Sequence, residues 1–505
     1  MRFYEYAKQK YHLWLTVFLI ALCSHGTMMF SNSVGIDTED IITLKDLFYN
    51  GWLSVGRQGL VLLKALLGTK VFNPYLAGAA SLFFITMTCF LWTYLFSYIS
   101  QKDNLAAELL FSVLLIVSPL MTEQFYFKLQ SMEVTAGFCL TAVSLFLLYR
   151  AAEFDCGRER YALTIGSALL NLVLFSLYQV MLALFIFGAA ACFFLHYFVR
   201  ENRERSILMR FAVLSPVVFL VSFIGNQVIT AIWFGTGMTY LTTQSAWFSL
   251  PLRDCLLRIL NHTGRIAISW GLHYTKFYPI GCLLLVILVI CLVKKRADNK
   301  GLFLGIFSLL MVMGGPLYMT VICAGEPVLR SQLVMPFALG FLAYVLILLA
   351  GHNRRLMYAL IVLCIIAGYG QLNVTLRLNY TDMVRYESDV RIAASIMEEI
   401  NKLEDDTHSY PVIFIGKHHA ELNNSCVQGE LIGYSFFEWD TDIEPYSFFS
   451  TRRILGFLHT LGGNYAQGNE QQFGEAIAYS QGMNNWPMRG SIKLHDGYII
   501  VKLSD

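Results

Sequence analysis

YHLWLTVFLIALCSHGTMMF, residues 11–30, is the stretch whose reading decides the fold. A helix crosses a bilayer in about 20 mainly apolar residues, and this run meets that length. Arg2, Lys8 and Lys10 precede it as in a signal peptide. No small-residue cleavage site follows and the apolar pattern continues, so it reads as a retained first span. The same ruler gives about ten further spans, at 75–99, 105–121, 133–150, 161–176, 178–198, 211–233, 277–293, 301–323, 333–350 and 355–374. The expected fold class is an all-α polytopic membrane protein of about 11 transmembrane helices over residues 1–374. Composition agrees: the 505-residue chain is 56% hydrophobic and 14% charged, where soluble domains carry about a quarter charged residues.

Net charge adds little, since +2 offers no electrostatic footing for nucleic acid. Most of the 11 cysteines lie in or beside apolar segments, where cysteine packs as a small hydrophobe. No disulfide framework or metal-spaced cysteine pair is visible. The loops are more informative. Alternate ones are basic: Gln101-Lys102-Asp103, Arg150 to Arg160, Arg200 to Arg210 with Arg203 and Arg205, Lys294-Lys295-Arg296 to Lys300, and His352-Asn353-Arg354-Arg355. Short cytoplasmic loops are enriched in Lys and Arg, so the N-terminus is expected inside. The opposite loops, 31–74, 122–132, the Leu177-Tyr178 turn, 234–276 and 324–332, are aromatic-rich and hold Asp37, Glu39, Asp40, Glu123, Asp254 and Glu326. They are expected outside, together with the C-terminus.

From about Thr375 the composition becomes that of an ordinary globular domain. Val390, Ile392, Ala393, Ile396, Met397 and Ile400 recur at helical spacing within Tyr386 to Leu403. Pro411 to Gly416 reads as a buried strand, Glu470 to Gln481 as a helix, and Ser491 to Leu503 as a hairpin around His495-Asp496-Gly497. Residues 375–505 are therefore expected to form a small α/β extracytoplasmic domain.

Directly after the first span comes Gly35-Ile36-Asp37-Thr38-Glu39-Asp40, and further on Gly56-Arg57-Gln58-Gly59-Leu60. Between them Ile41, Ile42, Leu44, Leu47, Phe48, Trp52 and Leu53 recur every three or four positions, predicting an interfacial helix over 38–54. Asp37 suits its N-cap, and Glu39 and Asp40 its first turn. Capping needs one acid, however, and two carboxylates a residue apart can serve one reacting hydroxyl as base and positioner. Arg57 suits bidentate phosphate binding, or snorkelling from a helix end. Lys64 falls on the same helical face.

The segments Gly35-Ile36-Asp37-Thr38-Glu39, Trp52-Leu53, Gly56-Arg57-Gln58-Gly59-Leu60-Val61-Leu62-Leu63-Lys64 and Phe72-Asn73-Pro74-Tyr75-Leu76 resemble the bacterial serotype-converting, Gtr-type glucosyltransferases. The resemblance implies membrane enzymes of the GT-C class that transfer glucose from a polyprenyl-phosphate carrier to a cell-envelope glycan. It also implies a catalytic acid in the first outer loop, here among Asp37, Glu39 and Asp40.

Other candidates follow from chemistry and position. Thr122 to Gln130 offers Glu123, Tyr126 and Lys128, a sugar-stacking and phosphate-binding set or an aromatic belt. Arg330 is a second phosphate ligand beside Glu326, while Gln179 at the tight turn is a substrate contact or helix-helix glue. The expected protein is an inverting, multi-pass plasma-membrane glycosyltransferase. Arg57, Lys128 and Arg330 would hold the donor phosphate, and Lys64, Glu123, Tyr126, Gln179 and Glu326 would line the substrate. No obligatory cofactor is expected, and a divalent metal held by the acids remains open. Expected partners are the lipid bilayer, a polyprenyl-phosphate sugar, an envelope glycan, and a donor synthase and flippase. A flippase of lipid-linked sugars and an envelope glycan polymerase or ligase are the alternatives.

Overall fold

The computed structural model describes residues 3–202, 204–234, 245–294, 301–351, 353–403, 410–441 and 447–505. Arg203, Lys295, Arg296, Lys300 and His352 of the basic loops lie outside the described residues. Two compact units form, Met1–Phe30 with Asn50–Leu376 and Ser31–Tyr49 with Arg377–Asp505.

The first unit is a helical bundle. Among the described residues, 9 helices are long and apolar enough to cross a membrane, and a bent pair gives a tenth. That pair, Leu105–Ile116 and Pro119–Tyr126, is bent by 50°. Pro119 opens the second member, where its missing N–H costs nothing. Val334–Ala350 is equally apolar but only 17 residues long. Each of the expected spans thus has its helix.

Local sequence explains several boundaries. Asn73 caps Pro74–Ser100 by accepting from Leu76 N, with Pro74 at the first helical position. Asn104 caps Leu105–Ile116 through Ala107 N. Close helix approach is bought with glycine: a Cβ on Gly78 would lie 2.2 Å from Met29 O, and one on Gly59 2.3 Å from Val173 O. Gly59, beside Arg57, therefore serves the packing of Gln58–Leu66 on Arg158–Leu177. Trp92 anchors the interior, donating its indole N–H to Phe138 O at 3.1 Å. At one end of the bundle Lys10 meets Glu108 at 2.9 Å, and Arg150 meets Glu153 at 2.8 Å.

The second unit contains a three-stranded sheet of order β1-β3-β2, with β1 Val412–Ile415, β2 Ile492–His495 and β3 Tyr498–Lys502. β1 pairs parallel to β3, and β2 antiparallel, with Val412 opposite Ile499 and Ile492 opposite Val501. The central strand β3 is buried throughout, as a near-continuous apolar run requires. Asp496 and Gly497 turn the hairpin with positive φ. The segment Tyr386 to Leu403 is not a separate helix. It is the far part of the 48-residue helix Arg354–Asn401, because no proline or glycine interrupts it after Gly370. Ala393, Ile396 and Ile400 pack with Val412, Phe414, Phe457 and Leu458.

Residues 38–54 form two helices, Thr38–Thr43 and Lys45–Ser54. Leu44 breaks them at φ −126°, after the β-branched run Ile41-Ile42-Thr43. Such residues crowd the preceding turn, which lowers helix propensity there.

Candidate functional site

The acids of the first loop are gathered by a side chain from the far end of the chain. Asp37 occupies the N-cap position of Thr38–Thr43, yet its side chain caps nothing. Its Oδ1 instead accepts from Arg453 Nη1 at 2.8 Å. The same nitrogen donates to Glu39 Oε1 at 2.9 Å and to Asp40 Oδ2 at 3.3 Å, while Arg453 Nε donates to Asp440 Oδ2 at 2.9 Å. Arg452 Nη2 donates to Asp40 Oδ2 at 3.1 Å. The helix Ser447–Thr460 carries both arginines and approaches closely because Gly456 is small. A Cβ there would lie 3.0 Å from Glu39 Cγ.

The three clustered acids differ in access. The Asp37 side chain is 27% exposed, whereas Asp40 is 9% and Glu39 fully buried. Burial pushes the Glu39 carboxyl up to about 8, outweighing the pull of Arg453. Burial also raises Asp40, against Arg453 and Arg452. Burial works to lower the Arg453 guanidinium, but the surrounding carboxylates win and raise it. Asp37 sits at φ 65°, a left-handed conformation that costs a non-glycine residue of order 1–3 kcal/mol. Glu39 Oε2, Thr38 Oγ1 and Arg452 Nε are buried without a hydrogen-bond partner among the described residues. Each such atom costs about 1–3 kcal/mol while it stays unpaired.

A second buried arginine fixes the entry to this turn. Arg385 donates to Val34 O at 3.1 Å from both Nη1 and Nη2, and Nη2 also donates to Ser33 Oγ at 2.9 Å. Asp382 Oδ1, at 2.5 Å, and Asp389 Oδ2, at 3.4 Å, balance its charge. Asp389 in turn accepts from Ser435 Oγ at 2.6 Å and Phe436 N at 3.1 Å.

The remaining candidates belong to the bundle. Arg57 is buried with its guanidinium over the Tyr178 ring, 5.4 Å from the centroid. Tyr178 donates its hydroxyl to Arg330 O at 3.2 Å, and the Arg330 guanidinium lies 5.0 Å from the Phe127 ring centroid. Lys64 is buried against Glu133 Oε1 at 2.8 Å and over the Trp52 ring, so its charge is already balanced. Glu123, Tyr126 and Lys128 are buried at the elbow between Pro119–Tyr126 and the helix beginning at Lys128. Glu123 Oε1 meets His273 Nε2 at 3.1 Å. Glu326 pairs with Arg265 Nη1 at 2.5 Å. Gln179 lines two clefts, one with Gly56, Asn226 and Thr230, the other with Glu326 and Ser331.

Arg57 and Arg330 thus share Tyr178, and Asp37, Glu39 and Asp40 share Arg453. Sequence reasoning missed Arg452, Arg453, Arg385 and Asp440, and no local pattern tied them to the first loop. It also treated 234–276 as a loop, although Leu252–Ile268 is an amphipathic helix. Leu252, Leu256, Ile259 and Ile266, with Arg253, Arg258 and Arg265 between, carried that signal at helical spacing. Among the described residues no three His, Cys, Asp or Glu side chains are grouped to hold a metal ion.

A bundle of apolar helices long enough to cross a membrane defines a polytopic membrane protein. The family model described as glucosyl transferase GtrII matches residues 26–347, and the chain belongs to that family. Its membership makes it a membrane glucosyltransferase. The match takes in Asp37, Glu39, Asp40 and Arg57, and stops before Arg385, Arg452 and Arg453. No curated protein matches the chain.

Proposed function

We propose that the protein is an inverting glucosyltransferase of the plasma membrane. It moves a single glucose from polyprenyl phosphate to a cell-envelope glycan on the extracytoplasmic face. The N-terminus lies in the cytoplasm and the C-terminal unit outside, as the basic alternate loops suggest. Asp37 takes the proton of an acceptor hydroxyl while that oxygen attacks the anomeric carbon. The bond from that carbon to the phosphate oxygen breaks on the opposite face, and the polyprenyl phosphate departs with the bonding pair. Arg57, Lys128 and Arg330 are the cations for its charge, and such preorganised electrostatics are usually the largest catalytic contribution.

One observation carries the choice of base. Asp37 alone among Asp37, Glu39 and Asp40 combines an arginine-anchored oxygen with a partly exposed side chain and a strained backbone. The test is an assay of the purified protein with radiolabelled polyprenyl-phosphate glucose and a crude envelope glycan. Transfer of single glucose units with inverted anomeric configuration supports the reading. Lipid-linked sugar crossing vesicles without transfer would replace the enzyme by a flippase, and transfer of whole oligosaccharide blocks would replace it by a ligase.

A further inference from the structure

A cavity of about 160 Å³ opens in the bundle unit between the turn at Tyr178-Gln179, the helix Leu252–Ile268 and the segment 319–331. Tyr178, Gln179, Arg258, Met319, Glu326 and Ser331 supply its chemistry. We infer that this cavity receives the sugar-phosphate headgroup of the lipid-linked donor, with Arg258 as a further phosphate ligand beside Arg57 and Arg330. The inference rests on the functional reading above and names a subsite for it.

Charge balance argues for an anion. Among the described residues the one carboxylate in the lining, Glu326, is already paired with Arg265 Nη1 at 2.5 Å. Arg258 has neither hydrogen bond nor ion pair among the described residues, so the cavity holds an uncompensated guanidinium. A Cβ on Gly325 would lie 3.6 Å from Arg258 Cδ, so the stem of the arginine runs along that glycine at van der Waals distance. A guanidinium of this kind matches phosphate oxygens in bidentate geometry.

Polar complementarity argues for a sugar next to that anion. Gln179 Oε1 is buried and lacks a hydrogen-bond partner among the described residues, and a sugar hydroxyl is a donor of the right size. Glu326 accepts further hydroxyls, and the Tyr178 ring with Met319 offers the apolar surface on which a pyranose face rests. Tyr178 also ties in the other cations, since its ring carries Arg57 and its hydroxyl bonds the Arg330 carbonyl.

The helix bearing Arg258 is fastened rather than adrift. His262 bonds Thr320 Oγ1 through Nδ1 and Tyr274 OH through Nε2, both at 2.8 Å, and Tyr274 donates to Gln332 Oε1 at 2.7 Å. Trp247 Nε1 donates to Val321 O at 2.7 Å just before the helix. These bonds pin the helix to the same segment that supplies Met319, Glu326 and Ser331. A merely membrane-facing arginine needs no such fastening, and Arg253, on the same helix but outside the cavity lining, is the control for that role.

The experiment uses the full chain in lipid nanodiscs and measures binding of a short-chain isoprenyl phosphoglucose, the matching isoprenyl phosphate, and free glucose. Losing a charge-assisted hydrogen bond costs about 1.5–3 kcal/mol, so Arg258→Ala should weaken both phosphate probes about tenfold to hundredfold. Arg258→Lys should recover part of that loss, and Arg253→Ala should bind as the parent does. Gln179→Ala should weaken the phosphoglucose and leave the isoprenyl phosphate unchanged, an arm that holds even if the arginine variants fail to fold. Parent-like binding by folded Arg258→Ala, with parental glucose transfer intact, overturns the subsite and leaves the functional reading standing. A parent that neither binds the phosphoglucose nor transfers glucose overturns both.

Discussion

Arg453 confronts Asp37, Glu39, Asp40 and Asp440 with one guanidinium, so the behaviour of each acid depends on it. Removing one partner of a buried charge network leaves the others uncompensated, which costs about 3–5 kcal/mol. Arg453→Met should therefore destabilise the second unit by roughly that amount, and thermal unfolding with Arg453→Lys as a partial rescue checks it. A parental melting point in the methionine variant would show that the four acids do not need the arginine. Asp37→Asn keeps an oxygen for Arg453 but cannot accept a proton. It should fold normally and lose transfer by about 10²–10⁴-fold, the usual worth of a general base. Near-parental turnover with radiolabelled donor would move the base elsewhere. Glu39 supplies the pH dependence. Its folded value of about 8 lies above its ordinary value near 4.5, so the folded state holds the proton that the unfolded state loses in between. The stability linked to that proton is complete below about 4.5 and is lost as pH rises through 8. Melting points of the parent should thus fall from pH 5 to 8.5, and Glu39→Gln, neutral throughout, should flatten the profile. Equal slopes in the two proteins would deny the burial effect.

At the level of elements, the membrane helices were legible because a bilayer demands a fixed length of apolar sequence, which needs no knowledge of partners. β1 and the β2–β3 hairpin were legible for a similar reason, since a short apolar run closed by glycine and a turn pair between alternating residues are local signals. The break at Leu44 was not, because the apolar spacing runs unbroken across it and only backbone crowding at Ile41-Ile42-Thr43 ends the first helix. The glycine two residues after Arg57 serves helix packing. Gly59 makes room for the Val173 carbonyl, so Gly59→Ala forces Gln58–Leu66 off Arg158–Leu177. Overpacking of this kind costs about 1–3 kcal/mol. Because Arg57 directly precedes the displaced helix, the variant should also raise the KM for donor more than the KM for acceptor. Steady-state kinetics with each substrate varied in turn checks this, and an unchanged donor KM would detach Arg57 from donor binding.

Across the whole molecule, the acid loop and the residues that order it stand more than 400 positions apart in sequence, with Asp37 and Arg453 separated by 416. No pattern read along the chain reports such a pairing, which is why the acid cluster stood out in the sequence and its arginine partners did not. The family match ends at residue 347, yet residues 31–49 within it pack in a unit completed only by Arg377–Asp505. Ser33 and Val34 depend on Arg385, and Asp37 to Asp40 on Arg452 and Arg453. A chain ending at Leu376 keeps the complete bundle unit but leaves Asp37, Glu39 and Asp40 without their arginine partners. Such a truncation should insert into the membrane with its spans intact, as cysteine-accessibility mapping of the basic loops would register. It should nonetheless lose glucose transfer, because an unanchored loop no longer holds Asp37 in its strained, arginine-bound conformation. Adding back residues 377–505 as a separate chain should restore part of the activity if the two pieces reassociate, and less so when that piece carries Arg453→Met. Full activity of the truncated chain alone would confine the catalytic machinery to the region the family model covers and reduce the C-terminal unit to an accessory.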